Sequence, residues 1–447
     1  MAIQPNMPAG SGGSTLQRTA WSAVLLLSLV VLSAGIVRLG FSPLQEAAKL
    51  ELGLSDYQIS LVQGIAAALP MALIAIPLGW LTDHSKRTRL MLILGLTWTV
   101  GMIGTAFAND FNTLVIARML AGVGSMSIVP VAISTLSDLA PPQNRGRAML
   151  FVGMGNTLGP ALAFVLGGAL ATAFGDQFDI PGLGLSAWRE AALALGVISA
   201  AMILIQFAVR EPARHEIESS STSLKVMAGA LWRRRALLGP LFVGQISVIM
   251  ADAAAGVWAV PVLQRDFDQS VGQASALVGG LLLLAGLIGP AVGGLAADKG
   301  HKSGRRGGIL IGAVIASAIG VPAALFPLMP DVTSMVAVLF VLLAAGAITG
   351  LITATTIAVL VPNEERGVCL GAFMILGALI GLGLSPVLVS LGSSALGGED
   401  HLAPALALVG VLTGLVSLFG FVVAMLNAPG MAPDQLGSSP SSSRELT

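Results

Sequence analysis

The stretch GWLTDHSKRTRLM, Gly79 to Met91, sets an aspartate, a histidine and three basic residues between two long apolar runs. A second stretch of similar build, ADKGHKSGRR at 297–306, follows another apolar run much later in the chain. The rest of the sequence is poor in charge. Of its residues 55% are hydrophobic and 10% charged, with a mean hydropathy of +0.87. A soluble domain carries about 25% charged residues, so this composition belongs to a membrane protein. Its runs are of the length a bilayer core demands, about 20 apolar residues each. The 55 glycines agree, since glycine is commoner in membrane helices than in soluble ones.

Twelve such runs lie between residues 20 and 427, the first at 20–42 and the second at 58–81. Lipid cannot satisfy a free backbone group, so closely spaced segments of this length are predicted to be helices. With the N-terminus inside, the inner segments hold 18 of the 23 Lys and Arg residues. The outer loops hold only Lys49, Arg189 and Arg265, and Arg38 and Arg118 fall within spans. By the positive-inside rule both termini are expected in the cytoplasm and the chain in the cell's inner (plasma) membrane. The run after Arg18 is long enough to span, which favours a first helix over a cleaved leader.

The organisation predicted is a disordered arm (1–19), a six-helix bundle (20–209), a cytoplasmic linker (210–235), a second six-helix bundle (236–427) and a disordered tail (428–447). The two bundles repeat. At an offset of 215, Ser55 and Gln58 match Ser270 and Gln273, Gly64 matches Gly279, Gly79 matches Gly294, Asp83 matches Asp298 and Arg87 matches Lys302. Each Ser-x-x-Gln is a capping box that opens a span. Arg145-Gly146 matches Arg366-Gly367 at an offset of 221, which implies a few inserted residues. Two parallel six-helix repeats are a transporter architecture.

GWLTDHSKRTRLM resembles the loop 2–3 signature of the major facilitator superfamily, and ADKGHKSGRR is similar to its weaker second copy. ARMLAGVG (117–124) is similar to that superfamily's fourth-helix pattern of arginine and spaced glycines. ELGLSDYQISLVQG (51–64), PPQNRGRA (141–148), AWRE (187–190) and VREPAR (209–214) resemble its spinster-type branch. The resemblance, over residues 20–427, implies a major facilitator fold working by alternating access, with helices 1, 4, 7 and 10 around a central cavity. Two features depart from the branch. Val37 stands before Arg38, and Ser125 follows Gly124, where relatives carry acids implicated in proton coupling. Gly159-Pro160 resembles an antiporter signature, but the glycine pair Gly167-Gly168 arrives late.

The resemblance implies a gate built from Gly79, Asp83, Arg87, Arg89, Asp138, Gly294 and Asp298. Asp83 would meet the start of helix 11 and Asp298 the start of helix 5, where unpaired N–H groups favour negative charge. Arg87 and Arg89 are placed to pair with Asp138. The alternative is that these charges only set topology. Arg38, Arg118 and Asp252 lie within spans, and an ionisable residue there usually marks a substrate path. Thr349, Thr353 and Thr356 share one face of the tenth span. These six are the candidate substrate residues, though an arginine can snorkel to the headgroups and a threonine can bond its own helix. Two cations against one anion suit an anionic ligand, because guanidinium grips carboxylate or phosphate in a fork.

The function expected is therefore secondary transport of an amphipathic or organic anion, with protons as a candidate coupling ion and the chain a monomer in the bilayer. Efflux of neutral or cationic lipophilic compounds, and a non-transporting receptor on the same fold, remain alternatives. The sequence offers no nucleophile–base pair, metal cluster, cofactor motif or nucleic-acid surface. Its single cysteine, Cys369, leaves no internal disulfide to form.

Overall fold

The computed structural model describes residues 12–140, 144–176, 184–207, 211, 229 and 232–429. Twelve helices are long and apolar enough to cross a membrane. They are α1 (Trp21–Leu52), α2 (Asp56–Ala75), α3 (Arg87–Ala106), α4 (Phe111–Leu139), α5 (Arg145–Gly175) and α6 (Ala187–Leu204), then α7 (Arg235–Arg265), α8 (Val271–Lys302), α9 (Gly308–Leu328), α10 (Val332–Leu360), α11 (Glu365–Leu396) and α12 (Glu399–Asn427). The predicted tail from residue 430 and nearly all of the predicted linker lie outside the described residues.

Several helices outrun the apolar runs that announce them. The first begins at Gly12, within the stretch expected to be a disordered arm. No proline lies between Pro8 and Pro43 to stop it. At its other end Pro43 sits in a 3₁₀ turn, Ser42–Leu44, and a polar helix, Gln45–Leu52, carries α1 beyond the expected limit at 42. Gly53, left-handed at φ 62°, closes that helix. Polar side chains hid this segment, because it packs against protein and not lipid.

The repeat is visible in the local physics. Ser55 opens α2 and Ser270 opens α8 with the same capping box, each hydroxyl taking the amide three residues on. Within the first half α1 packs on α5 and α3 on α4; within the second α7 packs on α12 and α8 on α10. The halves meet along α5 with α8 and α2 with α11, which the repeat makes two copies of one relation. Both α2 and α11 are irregular where they meet. Gly64 breaks α2 at φ −99°, ψ −86°, and Gly377–Leu384 of α11 is π-helical. A Cβ at Gly64 would strike the Gly383 carbonyl, so only glycine permits this backbone-to-backbone approach.

Candidate gates and buried charges

The ends of the molecule differ in how they are tied. One carries the basic loops after α2 and α8 and is called the basic end; the other is the far end. At the far end the chain reverses at Gly53, and the capping box at Ser55 fixes Asp56 in the first turn of α2. This brings Glu46, Lys49 and Asp56 of the first half together with Arg265 and Glu399 of the second. Arg265 forks onto both acids, Nη2 lying 2.6 Å from Glu46 Oε1 and Nη1 2.8 Å from Asp56 Oδ2. Lys49 Nζ joins Asp56 Oδ1 at 2.6 Å and also reaches Glu399. The Asp56 amide donates to Glu399 Oε1 at 2.7 Å. Beneath this network the Gln45 side chain donates to the Val257 carbonyl at 2.6 Å, and the Ser60 and Ser390 hydroxyls bond at 3.0 Å. Bidentate charge-assisted bonds are the strong kind, and here they bridge the halves.

The sequence reading missed this network, since its members stand as many as 350 residues apart. One signal was available. The outer segments hold only three cations, and each is paired: Lys49 and Arg265 here, and Arg189 with Glu51 at 2.7 Å.

At the basic end, bonds among the described residues stay within one half. Arg87, 3% exposed, reaches Asp138 at 2.6 Å and the Ser134 carbonyl at 2.8 Å. Glu211 caps the start of α3, accepting from the Thr88 amide and hydroxyl, each at 2.8 Å, and from the Arg87 amide at 3.1 Å. Burial alone would raise the Glu211 carboxyl, but these bonds hold it below the usual carboxylate range. In the other half Arg233 and Arg234 grip Glu365 at 2.7 and 2.8 Å. Arg366 donates to the Ala358 and Val361 carbonyls, the orphan acceptors that end α10.

Asp83, Arg89 and Asp298 are exposed and form no hydrogen bond or ion pair among the described residues. A Cβ at Gly79, Gly146 or Gly367 would meet nothing within 4 Å, and one at Gly294 only the Leu351 side chain. In this conformation, then, the gate residues do not bridge the halves. Among the described residues, polar bonds tie the halves together at the far end and none joins them at the basic end.

The intramembrane charges are separated. Arg118, 1% exposed, donates from Nη2 to the Arg38 carbonyl at 2.9 Å and lies 5.4 Å over the Phe41 ring. In this conformation the side chain is enclosed and braces α1 just before its break, while its Nε and Nη1 have no partner among the described residues. Arg38 is half-buried, and its side chain has no hydrogen bond or ion pair among the described residues. Asp252 is not beside either arginine; its Oδ1 is buried without a partner. The three threonines are at most 1% exposed: Thr349 and Thr356 bond carbonyls of their own helix, and Thr353 bonds Gln245 of α7 at 3.1 Å. In this conformation they present no exposed face to a substrate.

The Major Facilitator Superfamily profile matches residues 27–386. The chain is 25% identical to a probable sulfoacetate transporter of Cupriavidus necator over 62% of its own length and 64% of the relative's, just under two thirds. It is 26% identical to a probable 4-methylmuconolactone transporter of Cupriavidus pinatubonensis, over 89% of each chain. In fold it resembles the crystal structure of a bacterial homologue of the human lysosomal transporter Spinster, in an inward-facing and unoccupied conformation. That likeness has a TM-score of 0.77 and 22% identity, and covers 94% of this chain and 98% of the other. Twelve helices in two repeated halves, a far-end seal between them and a profile match over most of the chain lead to one statement: this protein belongs to the Major Facilitator Superfamily and is a multi-pass membrane transporter, not an enzyme.

Proposed function

We propose that the protein moves an amphipathic or organic anion across the inner membrane by alternating access, with uphill transport driven by a proton gradient. The observation that carries the anion is Arg38. A half-buried guanidinium without an ion pair among the described residues is held within a membrane helix. Such a charge is costly at that depth unless it meets a counter-charge. An anionic substrate supplies one, and the apolar helices around it suit a lipophilic body. Sulfoacetate, named for one relative, is an anion of the same class. The excess of Lys and Arg at the basic end supports a cytoplasmic position for that end and both termini, which makes the present conformation inward-facing. The gate reading follows: Asp83 and Asp298 bridge the halves when the basic end closes.

Stabilisation of purified protein by sulfoacetate, a long-chain fatty acid, a lysophospholipid and the cation tetraphenylphosphonium tests the reading. The anions are expected to raise the unfolding temperature. Arg38→Ala is expected to weaken their binding about ten- to a hundredfold, the worth of a charge-assisted bond. Arg38→Lys keeps the charge without the fork and falls between. Stabilisation by tetraphenylphosphonium alone, or an Arg38→Ala protein that binds the anions normally, overturns the anion site.

A further inference from the structure

Among the described residues Asp252 is the one acid with a buried carboxylate oxygen that has no hydrogen-bond partner. It sits partway along α7 in a small pocket inside the second six-helix half. The polar members of that pocket are Asp252, Ser317 of α9, Thr349 of α10 and Ser417 of α12, among apolar and glycine residues of the same helices. No helix of the first half contributes, so the pocket is apart from the parting between the halves. Gly346 makes the room: a Cβ there would fall 2.7 Å from Asp252 Oδ1 and 2.8 Å from its Cγ.

The chemistry of the lining is one-sided. A buried carboxylate is normally satisfied by donors, yet Asp252 Oδ1 has none. Among the described residues no hydroxyl bonds Asp252, and two of the three hydroxyl protons nearby are spent elsewhere. Thr349 donates to the Gly346 carbonyl at 2.9 Å, and Ser317 and Ser417 bond each other at 3.2 Å. What remains turned to the pocket is a set of oxygen lone pairs beside a carboxylate. Asp252 is the sole titratable residue of the lining. The ionisable groups of α8, Asp298 to Lys302, lie at the basic end, and those of α12, Glu399 to His401, at the far end. α11 packs on α7 through Gly381 against Ile249 and Ser385 on the Met250 carbonyl, neither titratable. A bare carboxylate in such a place is very costly, and only a positive partner relieves it.

We propose that Asp252, with the Ser317, Thr349 and Ser417 oxygens, forms a binding site for one small monovalent cation, a proton or a sodium ion, within the second half and away from the substrate path. This deepens the coupling proposed above and rests on it only for the transport consequence. Filling the site neutralises the carboxylate where α7 packs on α10, and the cation drives transport to the extent that this packing differs between the two conformations.

The test is thermal unfolding of the purified full-length protein without substrate. It is run in sodium chloride against choline chloride at fixed ionic strength, at pH 8.5 and at pH 5.5. Wild-type protein is expected to gain about 2–4 °C from the cation that binds. A rise with sodium at pH 8.5 identifies sodium; a rise with acid in choline, indifferent to sodium, identifies the proton. Asp252→Asn should have lost the response in either case. Ser317→Ala with Ser417→Ala should abolish a sodium response and leave a proton response. If Asp252→Asn does not fold, Gly346→Ala, which crowds the carboxylate, should diminish the response. Equal responses in wild type and Asp252→Asn, or an unchanged one in Gly346→Ala, overturn the site. A protein that binds the cation at Asp252 but none of the anions would refute the substrate reading and leave this one standing.

Discussion

The far end and the basic end use their charges in opposite ways. At the far end Arg265 and Lys49 hold three carboxylates drawn from both halves, and Asp56 among them is 3% exposed in its side chain. At the basic end Arg87, Glu211 and Glu365 are just as well bonded, but every partner lies in the same half or the adjoining linker. The difference teaches what a gate consists of in this fold. Charges paired inside a half travel with it; charges paired across the parting must be exchanged when it moves. By that criterion the far-end network is engaged here, and Asp83 and Asp298 are its proposed counterparts at the other end.

The largest effect should come from breaking the engaged side. Arg265→Ala leaves Glu46 and Asp56 facing one another with Lys49 alone to neutralise them. Removing one partner of a buried pair costs about 3–5 kcal/mol, and with Arg265 partly exposed about 3 applies, on the order of a hundredfold toward an opened far end. The readout is a thiol introduced by Ser390→Cys in a Cys369→Ser background, since Ser390 is 1% exposed against Ser60. An impermeant thiol reagent applied outside should label it faster when Arg265 is removed. Unchanged labelling would deny the network its role as a seal, and labelling only from inside would reverse the proposed orientation.

Asp83→Asn probes the idle side and should do less. Asp83 has no partner among the described residues in this conformation, so the unfolding temperature should hold. Closure of the basic end should lose a helix-terminus interaction of about 1 kcal/mol, roughly fivefold in the ratio of conformations, and transport should slow. Normal transport by both Asp83→Asn and Asp298→Asn would return these charges to topology alone.

The smallest effect is expected at Glu211, which ties the linker to its own half. Glu211→Gln should lower the unfolding temperature by about 2 °C at neutral pH through weaker capping of α3. Its carboxyl is held below the usual range, so its contribution is complete above the ordinary glutamate value of about 4.3. It is lost as pH falls through the depressed value. Melting curves of wild type and Glu211→Gln should therefore converge in acid. A difference that persists there would assign the effect to something other than the ionised carboxylate.

Much of this was legible from composition and spacing. The twelve spans, the internal repeat and both capping boxes follow from apolar runs and matched offsets, which are local signals. What stayed hidden was non-local or polar. Gln45–Leu52 reads as loop because its charges disguise a helix that packs on protein. Arg265 and Asp56 are joined across 209 residues, and no periodicity reports such a pair. For the buried charges, sequence gave depth but not direction. Arg38 and Arg118 lie close enough to touch through a backbone carbonyl, yet one is enclosed and the other partly open. Asp252 matches Val37 in the repeat, but its side chain enters its own half and meets no arginine.

The π-helical stretch of α11, Gly377–Leu384, can be read as a matter of counting. Each π-turn accommodates one residue more than an α-turn would. The outer part of α11, from Ser385 onward, therefore stands at a rotation fixed by that surplus. Inserting one further residue between 377 and 384, where the surplus is already taken up, would turn everything beyond it by about 100°. Ser385 would leave the Met250 carbonyl and Ser390 would leave Ser60, though neither had been altered. Many single substitutions in this apolar stretch preserve that arithmetic, and a one-codon insertion does not. Here the alignment of the two halves depends on how many residues there are more than on which.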